Sequence, residues 1–183
     1  MKILIRGAGD LATGIAAELW ERGHQILMTD VAIPLAVRRE VAFSRAVYEE
    51  HAVVEGMEAV LAESFEEAEA IMATRKIAVM VDEKAEVRKE YLPDVLVDGI
   101  MAKKNLGTRI SDAPLVIGIG PGFTAARDCH FVIETQRGEH LGEVIARECN
   151  PQHRNSGKYC RLYGGTPFKG IRRRDHASGH ENW

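Results

Sequence analysis

The first thirty residues constrain the fold of this chain more than anything that follows. Lys2-Ile3-Leu4-Ile5 is apolar and strand-like, and Arg6-Gly7-Ala8-Gly9-Asp10 is a glycine turn. Residues 11–22 carry a helical pattern, and Ile26-Leu27-Met28-Thr29 is a second apolar run ending in Asp30. Strand, tight turn, helix, strand, acid is the order of a βαβ unit. Gly7, Gly9 and Ala12 fit G-x-G-x-x-G/A, in which the first glycine permits the turn and the second lets backbone approach a pyrophosphate. The third, small residue allows close helix packing. Asp30 lies 21 residues beyond Gly9, where a carboxylate meets a ribose hydroxyl. Asp10 argues against a plain nicotinamide site: it reads as the N-cap, accepting from the Thr13 N–H, and occupies the positive helix end that a phosphate would use. Arg6, ending the first strand, can offset that charge or hold an anion itself.

Downstream, the first helix runs from about Asp10 to Arg22, with Leu11, Ile15 and Leu19 on one face and Gly23 as its stop. Val37, Val41, Ala42 and Val47 suggest a helix or irregular helical segment. A short apolar stretch from Val53 leads through Gly56 to Glu58–Ala62, and Ser64 caps an acidic helix from about Phe65 to Thr74. Ile77–Val81 reads as a buried strand ending at Asp82, a charged helical segment follows, and Val95–Asp98 and Leu115–Gly118 are two further strands. Phe131–Thr135 is another, followed by a helical pattern through Leu141, Val144 and Ile145. Strands alternating with helices imply an α/β fold, Rossmann-like and doubly wound, with a mostly parallel sheet and helices on both faces. This domain is expected over residues 1–149, and residues 150–183 form a basic Gly/His-rich tail without apolar periodicity.

The 183 residues suffice for one domain with a core, and 45% hydrophobic content suits a globular protein. A net charge of -3 disfavours a broad nucleic-acid surface. Cys129, Cys149 and Cys160 lack a C-x-x-C pair, there is no signal-type apolar run at the start, and no stretch reaches the ~20 residues of a membrane span. A cytoplasmic protein without a membrane partner is expected.

A second glycine loop, Gly118-Ile119-Gly120-Pro121-Gly122-Phe123-Thr124, follows the Leu115 strand at the sheet edge where ligands bind in open α/β folds. It reads as a turn around Pro121 or as an anion cradle of backbone N–H groups with the Thr124 hydroxyl. Between the two loops Lys103, Lys104, Asn105 and Arg109 can grip phosphate or carboxylate, or form a solvated loop. Arg38 and Arg39 follow the acid-bearing strand, where they meet a nucleotide or simply face water. Asp30 repels a 2′-phosphate, which favours NAD over NADP. Cys129 and His130 point to opposite sides of a strand and do not converge on a metal, and His176 and His180 lie in the tail. No metal site is expected, and no H-E-x-x-H, G-x-S-x-G or Walker A pattern is present.

Four segments taken together resemble a known family: Arg6–Gly14, Pro34-x-x-x-Arg38-Arg39-x-Val41-x-Phe43, Ala102–Arg109, and Asp112–Thr124. They resemble the YqeB-type proteins of selenium-dependent molybdenum hydroxylase systems, over roughly Met1 to Arg147, and are similar to the Rossmann domain of XdhC-type maturation factors. The resemblance implies an accessory protein for maturation of a molybdenum hydroxylase, with the hydroxylase or other maturation proteins as partners. Molybdopterin cytosine dinucleotide joins NAD as a candidate ligand, held between the glycine loops by Arg6, Lys103, Lys104 and Arg109. Residues 150–183 depart from the family pattern, which suggests a truncated or out-of-frame end. The alternatives are an NAD-dependent oxidoreductase, with Asp30 on the ribose and substrate near Asn105 and Arg109, and a non-catalytic interaction module. A homo-oligomer is compatible with each.

Overall fold

The computed structural model describes residues 1–146. The expected tail, 150–183, lies outside the described residues. Strand β1 (Lys2–Arg6) leads through the first glycine loop into α1 (Asp10–Glu21), then β2 (Gln25–Asp30). Two single-turn 3-10 segments, Arg39–Val41 and Phe43–Arg45, precede the short α2 (Ala46–Glu49), the hairpin β3 (His51–Val54) and β4 (Met57–Ala62), and α3 (Phe65–Ala73). After β5 (Ile77–Val81) come the short α4 (Arg88–Tyr91), β6 (Val95–Asp98), a 3-10 turn at Ile110–Asp112, β7 (Leu115–Ile119), β8 (Phe131–Ile133) and β9 (Val144–Ile145).

The nine strands among the described residues form one sheet in the order β3-β4-β5-β2-β1-β6-β7-β8-β9. Pairing is parallel from β4 to β8, and only β3 with β4 and β8 with β9 pair antiparallel. The chain therefore builds outward from β1 in both directions, with β2 on one side and β6 on the other. Alternate side chains feed two cores, as the pleat requires. Ile3, Ile5, Ile26 and Met28 pack with Ala12, Ala16 and Phe43 on one side. Leu4, Leu27 and Leu96 pack with Ala68, Met72 and Tyr91 on the other. Burial on both faces is why these central strands read as unbroken apolar runs.

The 37–48 region is the irregular helical alternative: two 3-10 turns and α2, interrupted where Phe43 N–H donates to Thr13 Oγ1 at 2.9 Å and Ser44 N–H to Ala8 O at 2.8 Å. One local expectation is corrected: the pattern through Leu141, Val144 and Ile145 is not helical. Gly138 and Gly142 take positive φ, Glu134 N–H donates to Glu143 O, and Val144–Ile145 pairs with β8. The stretch around Val53–Ala62 is a hairpin whose turn residues Glu55 and Gly56 both have positive φ (52° and 82°), as a two-residue primed turn requires. Ser64 caps α3 as expected, accepting from Glu67 N–H.

Candidate functional site

The parallel strands all end at one edge, which gathers the loops after β1, β2, β5, β6 and β7. In the first glycine loop, Gly7 sits at φ +88°, and a Cβ there would lie 3.1 Å from the Ile100 backbone. Across the same contact, a Cβ on Gly99 would come within 3.2 Å of the Ala12 Cβ. Gly7 and Ala12 thus serve the turn and the close packing expected of them. Gly9 is different: its φ and ψ are −67° and 178°, open to any residue, and a Cβ would meet nothing within 4 Å. No contact within the described residues requires glycine at position 9. Gly9, rather than Asp10, is the N-cap of α1, and Thr13 N–H donates to the Gly9 carbonyl. The Gly9 N–H has no partner among the described residues, whereas the Asp10 N–H turns to its own carboxylate.

Asp10 is the first residue of the helix proper. Its Oδ2 accepts from Arg38 Nε at 2.9 Å and Nη2 at 2.5 Å, an exposed pair that holds the Asp10 carboxyl below its ordinary range. The expected bond from Thr13 N–H to the Asp10 side chain is therefore absent. Asp30 does reach the loop: Oδ2 accepts from Ala8 N–H and Oδ1 from Val31 N–H, each at 2.8 Å. A carboxylate has about four lone-pair sites, so capacity remains for a ribose hydroxyl. Arg39 lies over the Tyr48 ring at 5.2 Å.

The second glycine loop is closed by packing. A Cβ on Gly118 would stand 2.5 Å from the Phe123 ring, one on Gly120 2.8 Å from Thr135 Oγ1, and one on Gly122 2.8 Å from the Lys104 backbone. These glycines accommodate neighbouring protein, so the turn reading accounts for them. Thr124 is tied into its own turn, with its N–H donating to Asp128 Oδ2 and its hydroxyl accepting from Arg127 Nη2. Asn105 is likewise engaged: Oδ1 accepts from Gly107 and Thr108 N–H, and Nδ2 donates to Thr108 O. Lys103, Lys104 and Arg109 are exposed on this same loop.

Arg6 is not an open anion site. It is 3% exposed, and Nη1 donates to Asp98 Oδ2 at 3.2 Å and to Thr108 Oγ1, while Nη2 donates to the carbonyls of Glu83 and Leu106. Thr108 in turn donates to Asp98 Oδ2 at 2.5 Å. Burial pushes the Asp98 carboxyl above its ordinary value, against the opposite pulls of Thr108 and Arg6. Asp98 and Thr108 are the residues that sequence reasoning missed. Their signal was present: an arginine closing a buried strand needs a carboxylate, and Asp98 closes the apolar strand beside it. Cys129 is buried, which pushes its thiol up to about 11, and His130 Nδ1 accepts from Val116 N–H at 3.0 Å. The two do not converge. Among the described residues no helix is long and apolar enough to cross a membrane.

Against this geometry, the chain is 44% identical over 170 residues to the uncharacterized protein YqeB of Escherichia coli (strain K12), across 93% of this chain and 31% of that protein. The chain spans about a third of the length of the curated relative it matches. The YqeB likeness expected from the four motifs is thus found. It also extends further than expected: with 170 of 183 residues aligned, the match takes in residues 14–170 wherever it begins, well past Arg147. No protein-family model matches the chain, and no solved structure does.

Proposed function

We propose that this protein is a cytoplasmic accessory factor for maturation of selenium-dependent molybdenum hydroxylases, and that it binds a nucleotide-bearing cofactor, molybdopterin cytosine dinucleotide or NAD, at its first glycine loop. The sheet is read as a Rossmann-like, doubly wound arrangement in which β1 and β6 flank the point where the strand order reverses, the place where such folds take ligands. The observation that carries the reading is Gly9. A glycine that is neither strained nor crowded leaves its helix end open, with its own N–H unpartnered among the described residues. Asp30, bonded to Ala8 within the same loop, supplies the carboxylate for a ribose. The hydroxylase context rests on the family resemblance. The closed packing of the second loop supports reading the first as the ligand loop, with the exposed Lys104 and Arg109 toward the far end of a long cofactor.

The interaction-module reading has one observation in its favour: Ile33, Leu35 and Val37, on the strap beyond Asp30, are 69%, 88% and 98% exposed. A thermal-shift series with NAD, NADP, FAD and molybdopterin cytosine dinucleotide, on the parent chain and Gly9→Val, separates the readings. Ligand at ~100 times Kd adds about 2.7 kcal/mol, roughly 5 to 10 °C for a chain of this size. The cofactor reading expects one such shift, lost in the valine variant. No shift with any of the four, together with capture of a hydroxylase by both proteins, favours the module.

A further inference from the structure

Resting on the first glycine loop as the nucleotide site, we propose that Asp98 is the positioning residue of that site: its one carboxylate ties the glycine loop to the basic 103–109 loop. The connection can be followed atom by atom. Asp98 Oδ1 accepts from Ile100 N–H at 3.2 Å, which sets the turn after β6. Gly7 and Ala12 rest directly on that turn, and Gly99 N–H donates to Arg6 O at 2.9 Å. The other oxygen, Oδ2, accepts from Arg6 Nη1 and from Thr108 Oγ1. Thr108 is the end point of the Asn105 turn, and Arg6 also holds the carbonyls of Glu83 and Leu106.

The two loops lie on different sides of the sheet. Alternation along β1 sends Arg6 to the side of Leu4, whose core includes α3 and α4, whereas Ala12 of α1 belongs to the core on the opposite side. No backbone hydrogen bond joins them: Arg6 reaches Thr108 Oγ1 and Leu106 O directly, and the Asp98 carboxylate fixes both Arg6 and Thr108 to the turn after β6. A buried ion pair is a poor device for stability alone, because apolar residues of similar volume fill such a space equally well or better. Geometry is what it supplies here. The exposed Lys103, Lys104 and Arg109 are thereby held in fixed register with Gly9, as two contacts on one extended ligand require.

Thr108→Val tests this, since it keeps the shape and removes both the donor to Asp98 and the acceptor of Arg6 Nη1, while Thr108→Ser restores the hydroxyl. In ligand-free protein, amide exchange at Ala8 and Ile100 is expected to accelerate about tenfold in the valine variant and to stay near parent in the serine variant. Affinity for NAD or molybdopterin cytosine dinucleotide, measured where circular dichroism shows both variants folded, is expected to fall about tenfold with valine and recover with serine. Unchanged exchange at Ala8 and Ile100 overturns the proposal, as does parent-like affinity in the valine variant. Accelerated exchange in a protein whose parent binds neither compound upholds the coupling and removes the nucleotide reading. If Thr108→Val does not fold, Arg6→Lys, which keeps the charge and loses the fork, is read the same way.

Discussion

Replacing Arg6 with methionine isolates the energetics of the buried cluster. Arg6 and Asp98 are 3% and 1% exposed, so removing the cation leaves an uncompensated anion with only Thr108 and the Ile100 N–H to satisfy it. Breaking a buried pair from one side costs about 3–5 kcal/mol, which for a chain of this length lowers Tm by roughly 6–20 °C. The loss should depend on pH. Burial already raises the Asp98 carboxyl above its ordinary value, and losing Arg6 raises it further. A carboxyl raised in the folded state binds more protons there than in the unfolded chain, so the penalty is full above the folded pKa and shrinks as pH falls through it. Urea denaturation of parent and variant at pH about 8 and about 5 is the assay, with the gap between them narrower at the lower pH. Adding Asp98→Leu should recover part of the loss, because no charge is then stranded. A gap below about 1 kcal/mol, or one that widens on acidification, refutes the reasoning.

Gly7→Ala should destabilise by about 1–3 kcal/mol, from its positive φ and its 3.1 Å approach to Ile100, whereas Gly9→Ala should cost under about 1 kcal/mol; parallel urea titrations compare them. Asp10→Asn removes a negative charge from the α1 N-terminus and should tighten NAD binding about two- to fivefold by calorimetry; weaker binding would mean that Asp10 contacts the ligand productively. Cys129, with its thiol near 11 and its side chain buried, should resist iodoacetamide in the folded protein and react in urea, as read from the mass of its peptide; equal labelling in both states contradicts its placement.

The parallel strands were legible because each is an apolar run bounded by glycine or an acid, and α1 and α3 because their periodicity ends at Gly23 and begins at Ser64. The hairpin at Glu55-Gly56 was readable in principle from its turn chemistry. The 140s were misread because Val144 and Ile145 fit more than one period, and only pairing with β8 settles which. In the site, Gly7 lies in the loop, Ala12 in the first turn of α1 and Asp30 at the end of β2, the places that their spacing promised. Arg6 went astray because its position at a strand end does not disclose burial: the same residue is an anion site when open and a structural strut when Asp98 and Thr108 close around it. Gly118, Gly120 and Gly122 have the composition of a cradle, and only the approach of Phe123, Thr135 and Lys104 reveals them as packing glycines.

The measurement that bears most directly on the first glycine loop is isothermal titration of NAD and of molybdopterin cytosine dinucleotide into the parent chain and Gly9→Val. Position 9 has ordinary backbone angles and open space around it, so the variant should fold like the parent. Binding to the parent that weakens at least about a hundredfold in Gly9→Val, with Tm in the absence of ligand changed by no more than a few degrees, is the expected result. Equal affinity in the two proteins would place the ligand elsewhere and contradict the account.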